Sequence, residues 1–445
     1  MKMRVTKLSL IAALLIGSTA FAIENTKVSG DVKLFYGTMD SDTGTYLGNK
    51  TSLFDSEGSY GDLAVDLELT TDLTKGVSAG AKGTFVTTLG LENNLVENTW
   101  SNSHGITKNT GSSFGNPPTS GLQLDDAFYL GELWIAGSAF DTTLKVGRQA
   151  LDTPLAFTET WGIDQNTFEA AVVINQSIPD TTLVGAYVGK SNGSADDLAT
   201  LTLSGADYVS GSLNNISGAQ AGVVSQNGTF NTFGTNGVYV AGLVNNTIKP
   251  LTVQAWYYSL QQLADAYWLQ ADINVDGILA GAQYTSIDVN GAADKDEAYA
   301  AMLGYAAKDV ATVKVAYSSV DEQGAIGVGN VATGNRTGGD NSNQSKLYTE
   351  MWWAYGVVSA TGADTVSLTA ETTAAGIDLL AGVYMTDTKT TTVDTETMEI
   401  ALVASKSFGP LDTSVAVIMD DFEDKNTPAD DEKTTHLQVY LTYNF

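Results

Sequence analysis

Segments in which apolar and polar residues alternate recur along the chain, and this pattern constrains the fold more than any other feature. The final segment, THLQVYLTYNF, places Leu437, Val439 and Leu441 on one side and polar residues on the other. The segments DLAVDLELT and AYWLQADINVD alternate in the same way. A period of two residues with one apolar and one polar face is typical of a half-buried β-strand and not of a helix.

Three further features favour a transmembrane barrel over a soluble β-sandwich. The segments are about ten residues long, which is the length that a tilted strand needs to cross a bilayer. Short connections alternate with long ones, which span 39–60, 89–121, 191–235 and 321–346. Aromatic residues with apolar-face parity gather at the strand ends beside the long connections: Tyr36, Phe85, Tyr257, Tyr267, Tyr299 and Tyr317. Outer-membrane barrels combine short periplasmic turns, long external loops and such aromatic girdles.

The predicted fold is an all-β, transmembrane antiparallel β-barrel of eighteen strands, with sixteen as the alternative. Nineteen candidate strands can be marked, but single-chain bacterial barrels have an even number. We therefore expect 364–373 and 377–387 to form one irregular strand. We also predict a strand over 347–359. The last strand, 433–445, is expected to close the sheet against the first, near VSGDVKLFYG. Lipid offers no hydrogen-bond partners to the backbone groups of an open sheet edge.

Residues 1–22 predict a cleaved signal peptide, followed by a single barrel domain over 23–445. Lys2, Arg4 and Lys7 precede a short apolar segment, and Ala20 and Ala22 have the spacing of a cleavage site. The chain contains no cysteine and carries a formal net charge of −29. Such a charge excludes a general nucleic-acid binder, and a hydrophobic content of 43% argues against a disordered acidic chain.

The segments KVGRQALDTPLAF and NTFEAAVV carry a resemblance to a known family. They are similar to the OprD-like major outer membrane porins of epsilon-proteobacteria through Val146, Gly147, Arg148, Gln149, Leu151, Thr153, Pro154, Leu155, Phe168 and Glu169. The resemblance implies a bacterial outer-membrane porin without a cofactor, usually a homotrimer, that passes ions and small hydrophilic solutes. Substrate-selective members carry a long basic ladder in the pore, whereas the mature chain holds only two arginines, Arg148 and Arg336.

An inward-folded loop at about 151–167 is expected to narrow the lumen, because an eighteen-stranded barrel is wide. This loop contains Trp161 and three acidic residues; an ordinary surface loop is the alternative. The residues predicted at the constriction are Arg148, Asp152, Glu159, Asp164, Glu169 and Lys145.

Arg148 has the parity of a lipid-facing residue, where it would cost about 2–4 kcal/mol at the bilayer midplane. Either a bulge at Gly147 turns it towards the acidic loop, or it lies in a subunit interface. The bulge is our preferred hypothesis.

Strand parity predicts a lumen in which acidic residues outnumber basic ones. The residues expected to face it are Asp62, Asp66, Glu68, Asp272, Asp276, Lys314, Lys33 and Lys82. Acidic walls concentrate cations and exclude anions, so we predict a cation-selective, passive channel. The alternative is that most of these carboxylates only keep the loops soluble and have no role in selectivity.

The sequence leaves two other function classes and one metal site as alternatives. A surface adhesin would use the long loops 89–121 and 191–235. A barrel-embedded hydrolase would use His104 or His436, but neither has a G-x-S-x-G motif or metal-ligand spacing beside it. Acidic clusters at the external ends are weak candidates for calcium, or for lipopolysaccharide bridged by divalent ions: Asp294, Asp296, Asp420 and Asp421.

Overall fold

The computed structural model describes residues 24–43, 50–87, 89, 95–96, 127–160, 162–192, 231–232, 237–261, 263–324, 326–332, 344–428 and 431–445. The predicted signal peptide, His104, Trp161 and Arg336 lie outside these residues. So do most of the two longest connections. No helix in the described part is long and apolar enough to span a membrane.

The described strands form one antiparallel sheet that closes on itself. The first nine are β1 (Glu24–Ser41), β2 (Ser59–Thr74), β3 (Val77–Thr87), β4 (Ala127–Ala139), β5 (Thr142–Gln149), β6 (Phe168–Asn175), β7 (Thr181–Ser191), β8 (Asn231–Thr232) and β9 (Val238–Asn245). The next five are β10 (Leu251–Leu260), β11 (Ala264–Val275), β12 (Ile278–Val289), β13 (Asp296–Ala307) and β14 (Ala311–Val320). The last five are β15 (Ala363–Ala374), β16 (Ile377–Lys389), β17 (Asp394–Phe408), β18 (Leu411–Asp424) and β19 (Glu432–Asn444).

Closure is achieved because β1 pairs with β2 on one side and with β19 on the other. The two-residue strand β8 pairs only with the end of β7, which also pairs with β9. The remaining eighteen strands form the wall, which confirms the predicted fold class and strand number. We call the end with the short connections the turn end and the other the loop end.

The expectation that two candidate strands merge into one was wrong. Residues 364–373 and 377–387 belong to separate strands, joined by a turn at Ala375 and Gly376 with φ angles of 53° and 70°. Two successive positive φ angles are those of a type I′ hairpin turn, whose twist matches its flanking strands. The false strand was 347–359. These residues form irregular chain and one helical turn, α1 (Tyr355–Val358); a 3₁₀ turn, Ser56–Gly58, precedes β2.

The side chains alternate between the two faces of the wall as the sequence predicts. On β11, Tyr267 and Leu269 are 46% and 50% exposed, whereas Trp268 between them is fully buried inside the barrel. The predicted outward positions of Tyr257, Tyr267, Tyr299 and Tyr317 are confirmed by their exposure. The rings of Tyr257 and Tyr267 lie 5.1 Å apart on neighbouring strands, and therefore form part of an aromatic row near the loop end.

The main core lies inside the barrel. It joins the inner faces of the middle strands to buried residues of two long connections, including Leu155, Val328, Leu347, Met351 and Val358. An eighteen-stranded wall encloses more space than its own side chains fill. The two connections therefore supply the core that the wall alone lacks.

Candidate functional site

Two connections fold into the lumen from the loop end, and they define the candidate site. The first inner loop, residues 150–167, joins β5 to β6. The second inner loop, residues 321–362, joins β14 to β15 and is described except for 325 and 333–343.

The first inner loop crosses the lumen and contacts opposite parts of the wall. The backbone N–H of Leu155 donates to the Tyr258 hydroxyl on β10 at 3.3 Å. The Thr167 hydroxyl donates to the Gly131 carbonyl oxygen on β4 at 2.7 Å. Leu155 is 1% exposed, and Ala156, Phe157 and Ile163 are also buried, so the middle of this loop is packed within the barrel.

Asn330 of the second inner loop locks the two loops together. Its Nδ2 donates to the Phe157 carbonyl oxygen and to Glu159 Oε1, both at 2.9 Å. Its Oδ1 accepts the Phe157 backbone N–H at 3.2 Å. An ion pair adds to this junction, because Lys346 Nζ lies 2.9 Å from Asp152 Oδ1. Two predicted site residues, Asp152 and Glu159, thus serve the contact between the loops.

The inner faces of β1 to β5 carry a connected group of lumen charges. Asp66 is at the centre: Lys33 Nζ and Lys82 Nζ lie 2.8 and 2.9 Å from its Oδ2, and Thr84 donates to its Oδ1 at 2.6 Å. Asp31 lies 3.3 Å from Lys33. Asp66, Lys33 and Lys82, which are predicted to face the lumen, thus meet on one face of the wall.

A second row of alternating charge lies next to this group. Glu68, Lys82 and Glu132 are directly opposite one another across β2, β3 and β4. Lys145 on β5 interacts electrostatically with Glu132 and Glu68, and its ammonium group lies 4.3 Å from the Trp134 ring centroid. We call the lumen-facing set Asp31, Lys33, Asp66, Glu68, Lys82, Glu132 and Lys145 the charged wall.

Asp164 brings the first inner loop to the charged wall. Its Oδ1 lies 3.8 Å from Lys82 Nζ, and its side chain is 2% exposed. Burial raises the pKa of the Asp164 carboxyl to about 6, although the positive charge of Lys82 opposes this shift. The carboxyl therefore changes charge within the physiological range of pH.

Arg148 and Glu169 lie elsewhere than predicted. Arg148 is directly opposite Leu133 and Glu169 in the sheet, and Leu133 is 52% exposed on the outer face. Arg148 Nε donates to Glu169 Oε1 at 3.0 Å, and Lys190 lies 3.4 Å from the same carboxylate. This cluster therefore occupies the outer face at the loop end, away from the expected constriction.

The hypothesis of an inward-turning bulge at Gly147 was wrong. Gly147 has a φ angle of 127°, but β5 keeps a continuous register with both neighbours. The register shifts occur at Gly131 on β4 and Gly189 on β7, which are left without partners. Near the membrane surface an outward arginine costs only about 0–1 kcal/mol, and pairing with Glu169 reduces the need for an inward turn.

The other predicted lumen residues fall into three groups. Asp62 is fully buried on the inner face of β2. Asp272 accepts the Tyr348 hydroxyl of the second inner loop at 2.5 Å, and Lys314 pairs with Glu371 at 2.9 Å. Asp276 was placed wrongly, because it lies in the exposed turn after β11 with a φ angle of 50°.

The four weak calcium candidates do not converge. Asp294 lies in an exposed turn, and Asp296 accepts the backbone N–H groups of Ile326 and Gly327 at 2.8 and 2.5 Å. Asp420 faces the lumen, whereas Asp421 pairs with Lys433 on the outer face. Among the described residues, no group of three acidic, histidine or cysteine side chains is arranged to hold a metal ion.

His436 faces the lumen as predicted, but its contacts do not form a hydrolase relay. Its Nε2 lies 2.9 Å from the Thr434 hydroxyl and 3.4 Å from Asp420 Oδ2. A relay needs the acid and the nucleophile on different ring nitrogens. The ring is also fully buried against Trp353, at a centroid distance of 4.1 Å.

Sequence reasoning missed the residues that position the inner loops. Asn330 lies in a connection without strand periodicity, so no pattern indicated a partner. Glu132 has lumen parity on β4 and could have been found by extending the alternation from Trp134. Glu399, a fully buried carboxylate on β17, resembles any other acidic residue of an alternating strand.

Comparison with solved structures places the fold among the OprD/Occ porins. OccK8 (OprE) of Pseudomonas aeruginosa matches with a TM-score of 0.62 and 14% identity, covering 96% of this chain and 100% of that chain. OccAB4 of Acinetobacter baumannii gives 0.63 and 12%, with coverages of 95% and 99%. OpdK of P. aeruginosa, solved with vanillate, gives 0.63 and 11%, also with 95% and 99%. No family model and no curated protein matches; at these identities the likeness establishes the fold alone.

The lock between the inner loops generates a prediction. Asn330→Asp replaces two donors with an oxygen that repels the Phe157 carbonyl and the Glu159 carboxylate, at a cost of about 1–3 kcal/mol. We expect amide hydrogen exchange in peptides covering 153–160 to accelerate about tenfold or more. Mass spectrometry of the folded protein in detergent measures this. Asn290→Asp, in an exposed turn, is the control, and unchanged exchange in Asn330→Asp would contradict the proposed lock.

Proposed function

We propose that this protein is an outer-membrane porin of the OprD-like kind, a passive channel for ions and small hydrophilic solutes with a preference for cations. One observation carries the proposal: a closed barrel holds two interlocked loops that cover its apolar inner face and leave a charged wall beside them. The shared fold supports an OprD-like porin, and the sequence motif around Arg148 is the ground for proposing the epsilon-proteobacterial branch.

The route for solute follows from what lines each side of the lumen. The inner face of β9 to β13 presents buried apolar side chains, among them Val240, Trp256, Tyr258, Trp268 and Ala300, which pack against the inner loops. Water and ions gain nothing from such a surface. On the charged wall, Lys33 and Asp31 keep about a quarter of their side chains exposed (25% and 24%). Hydrated solute therefore passes between the charged wall and the first inner loop.

The sign of the selectivity follows from the charge count. The charged wall and Asp164 together hold five carboxylates, Asp31, Asp66, Glu68, Glu132 and Asp164, and three ammonium groups, Lys33, Lys82 and Lys145. A net negative charge inside a low-dielectric wall raises the local concentration of cations. The two loop-to-wall contacts at Lys82 and Thr167 hold the first inner loop in place beside this route.

Several finer points stay predictions of the sequence. They are the homotrimer, the contact with lipopolysaccharide, the cleaved signal peptide and the outer-membrane location. The adhesin alternative rests on loops outside the described residues. The hydrolase alternative gains no support from His436, because this residue is buried and both of its polar neighbours contact the same ring nitrogen.

Neutralising the charged wall tests the proposal directly. The triple variant Asp31→Asn, Glu68→Gln, Glu132→Gln leaves two carboxylates against three ammonium groups in the counted set. Single-channel recording in a planar bilayer under a potassium chloride gradient measures the reversal potential. We expect the cation-selective sign of the wild type to be lost or inverted in the variant.

The matched control removes three carboxylates from the outer face. Asp387, Glu396 and Glu423 are directly opposite one another on β16, β17 and β18, and Asp387→Asn, Glu396→Gln, Glu423→Gln removes the same charge. We expect its reversal potential to stay near the wild-type value. Equal shifts in both triple variants, or an anion-selective wild type, would contradict the assigned route, and a folded wild type without conductance would contradict the porin function.

The pKa of Asp164, raised to about 6, predicts a pH dependence of selectivity. As pH falls from 7.5 to 5, the carboxyl takes up a proton, the lumen loses one negative charge, and cation preference decreases. Asp164→Asn should show the reduced preference already at pH 7.5 and little further change down to pH 5. Reversal potentials at both pH values measure this. A full wild-type pH response in Asp164→Asn would show that another group is responsible.

A further inference from the structure

The second inner loop is attached to the wall by an unusual contact. Glu399 projects from β17 into the lumen and is fully buried. Its carboxylate accepts three consecutive backbone N–H groups, from Trp352 at 2.7 Å, Trp353 at 2.8 Å and Ala354 at 2.8 Å. Hydrogen bonds to an ionised acceptor are about twice as strong as neutral ones. One side chain therefore fixes the backbone of a whole turn of the loop.

Weaker contacts align the same segment along the wall. Trp352 Nε1 donates to Gln438 Oε1 at 3.1 Å, and the Tyr348 backbone N–H donates to Gln283 Oε1 at 3.1 Å. The hydroxyls of Ser318 and Thr349 form a buried hydrogen bond. These contacts spread from β12 to β19, so residues 344–362 form a strap across the inside of the barrel.

The carboxylate of Glu399 depends on the strap for stabilisation, because a second carboxylate lies beside it. Asp420 lies directly opposite Glu399 in the sheet, and both side chains face inward. Two further titratable groups lie beside them: His436 contacts Asp420 and the Trp353 ring, and the buried Tyr384 is directly opposite Glu399 on β16. Two carboxylates side by side in a buried site repel each other. The three N–H groups offset this repulsion only while the strap is in place, and lumen water could hydrate the carboxylates once it leaves.

A cavity lies on the turn-end side of the strap. Its volume is about 730 Å³, and its lining includes Trp352 of the strap, Thr312, Glu371, Asp378 and Val403. The strap separates this space from the loop end of the barrel. Movement of the strap out of the lumen would join the two spaces and open a second, wider route along β14 to β18.

We propose that Glu399 is a positioning residue that pins the strap 344–362 across the lumen and thereby keeps the channel in its narrow state. The inference rests on the proposed porin function. Solute does not need to touch Glu399; the residue acts on conductance through the backbone of Trp352 to Ala354.

Glu399→Gln tests the pin, because the amide keeps the shape of the side chain but loses the charge that three N–H groups solvate. Single-channel recording should show a conductance level larger than the wild-type level, with its occupancy raised about tenfold, the shift that a loss of 1.4 kcal/mol produces. Glu399→Asp, which keeps the charge but shortens the reach, should raise the occupancy in the same direction. Glu396→Gln, on the outer face of the same strand, is the control and should behave as the wild type.

A disulfide lock separates strap movement from general loosening of the barrel. The chain contains no cysteine, so Ser318→Cys, Thr349→Cys introduces a single pair where two hydroxyls already touch. Combined with Glu399→Gln, this pair should abolish the larger level when oxidised and restore it when reduced.

Two results would overturn the proposal while leaving the porin function intact. One is a wild-type conductance pattern in both folded Glu399 variants. The other is a larger level that persists in the oxidised, cross-linked protein. Absence of conductance in the wild type would instead contradict the porin function itself.

Discussion

The closure of β1 onto β19 is the constraint on which the rest of the structure depends. In a lipid environment every backbone N–H and C=O group needs a partner within the protein, and a sheet meets this demand only as a closed ring. Closing the ring with eighteen strands leaves an interior wider than the wall side chains fill. The interior must then be organised by something other than the wall, and the two inner loops perform this task.

The inner loops divide the lumen into two chemically different halves. On the side of β9 to β13 most of the buried wall residues are apolar, so covering them with Leu155, Val328 and Met351 removes apolar surface from water, at about 25 cal/mol per Å². On the side of β1 to β5 the carboxylates and ammonium groups lie beside the first inner loop, and Asp31 and Lys33 keep about a quarter of their side chains exposed. In the proposed channel, the position of the solute route depends on which inner residues are apolar, and the sign of its selectivity depends on which are charged.

Three buried polar contacts are central to the attachment of the loops. Asn330 joins the loops to each other, Asp164 joins the first to Lys82, and Glu399 holds the second. Each contact is buried, where an unsatisfied polar group costs about 1–3 kcal/mol, so single substitutions at these positions are expected to change the lumen without changing the wall. The wall is thus held by backbone pairing, whereas the shape of the lumen is set by side chains.

The periodicity of the sequence was sufficient to predict the strands of the wall, but it was insufficient to predict the structure inside the lumen. Strict alternation located the strands and the faces of Asp66, Lys82 and His436, because the period of two is a local property of the chain. The segment 347–359 was misread because its apolar residues are buried by the lumen and not by lipid, and both environments select the same residue types. The strands 364–373 and 377–387 were merged wrongly because the false strand at 347–359 had made the number of candidates odd. Arg148 was misplaced because the relevant glycine bulges lie on β4 and β7, outside its own strand.

The most direct test asks which half of the lumen solute meets. Cysteines are introduced one at a time into the cysteine-free chain, at Glu68 on the charged wall and at Ala300 on the covered apolar face, and single-channel current is recorded while a charged methanethiosulfonate reagent is added. The account predicts a stepwise loss of current for Glu68→Cys and none for Ala300→Cys. A loss of current for Ala300→Cys with no response from Glu68→Cys would contradict it.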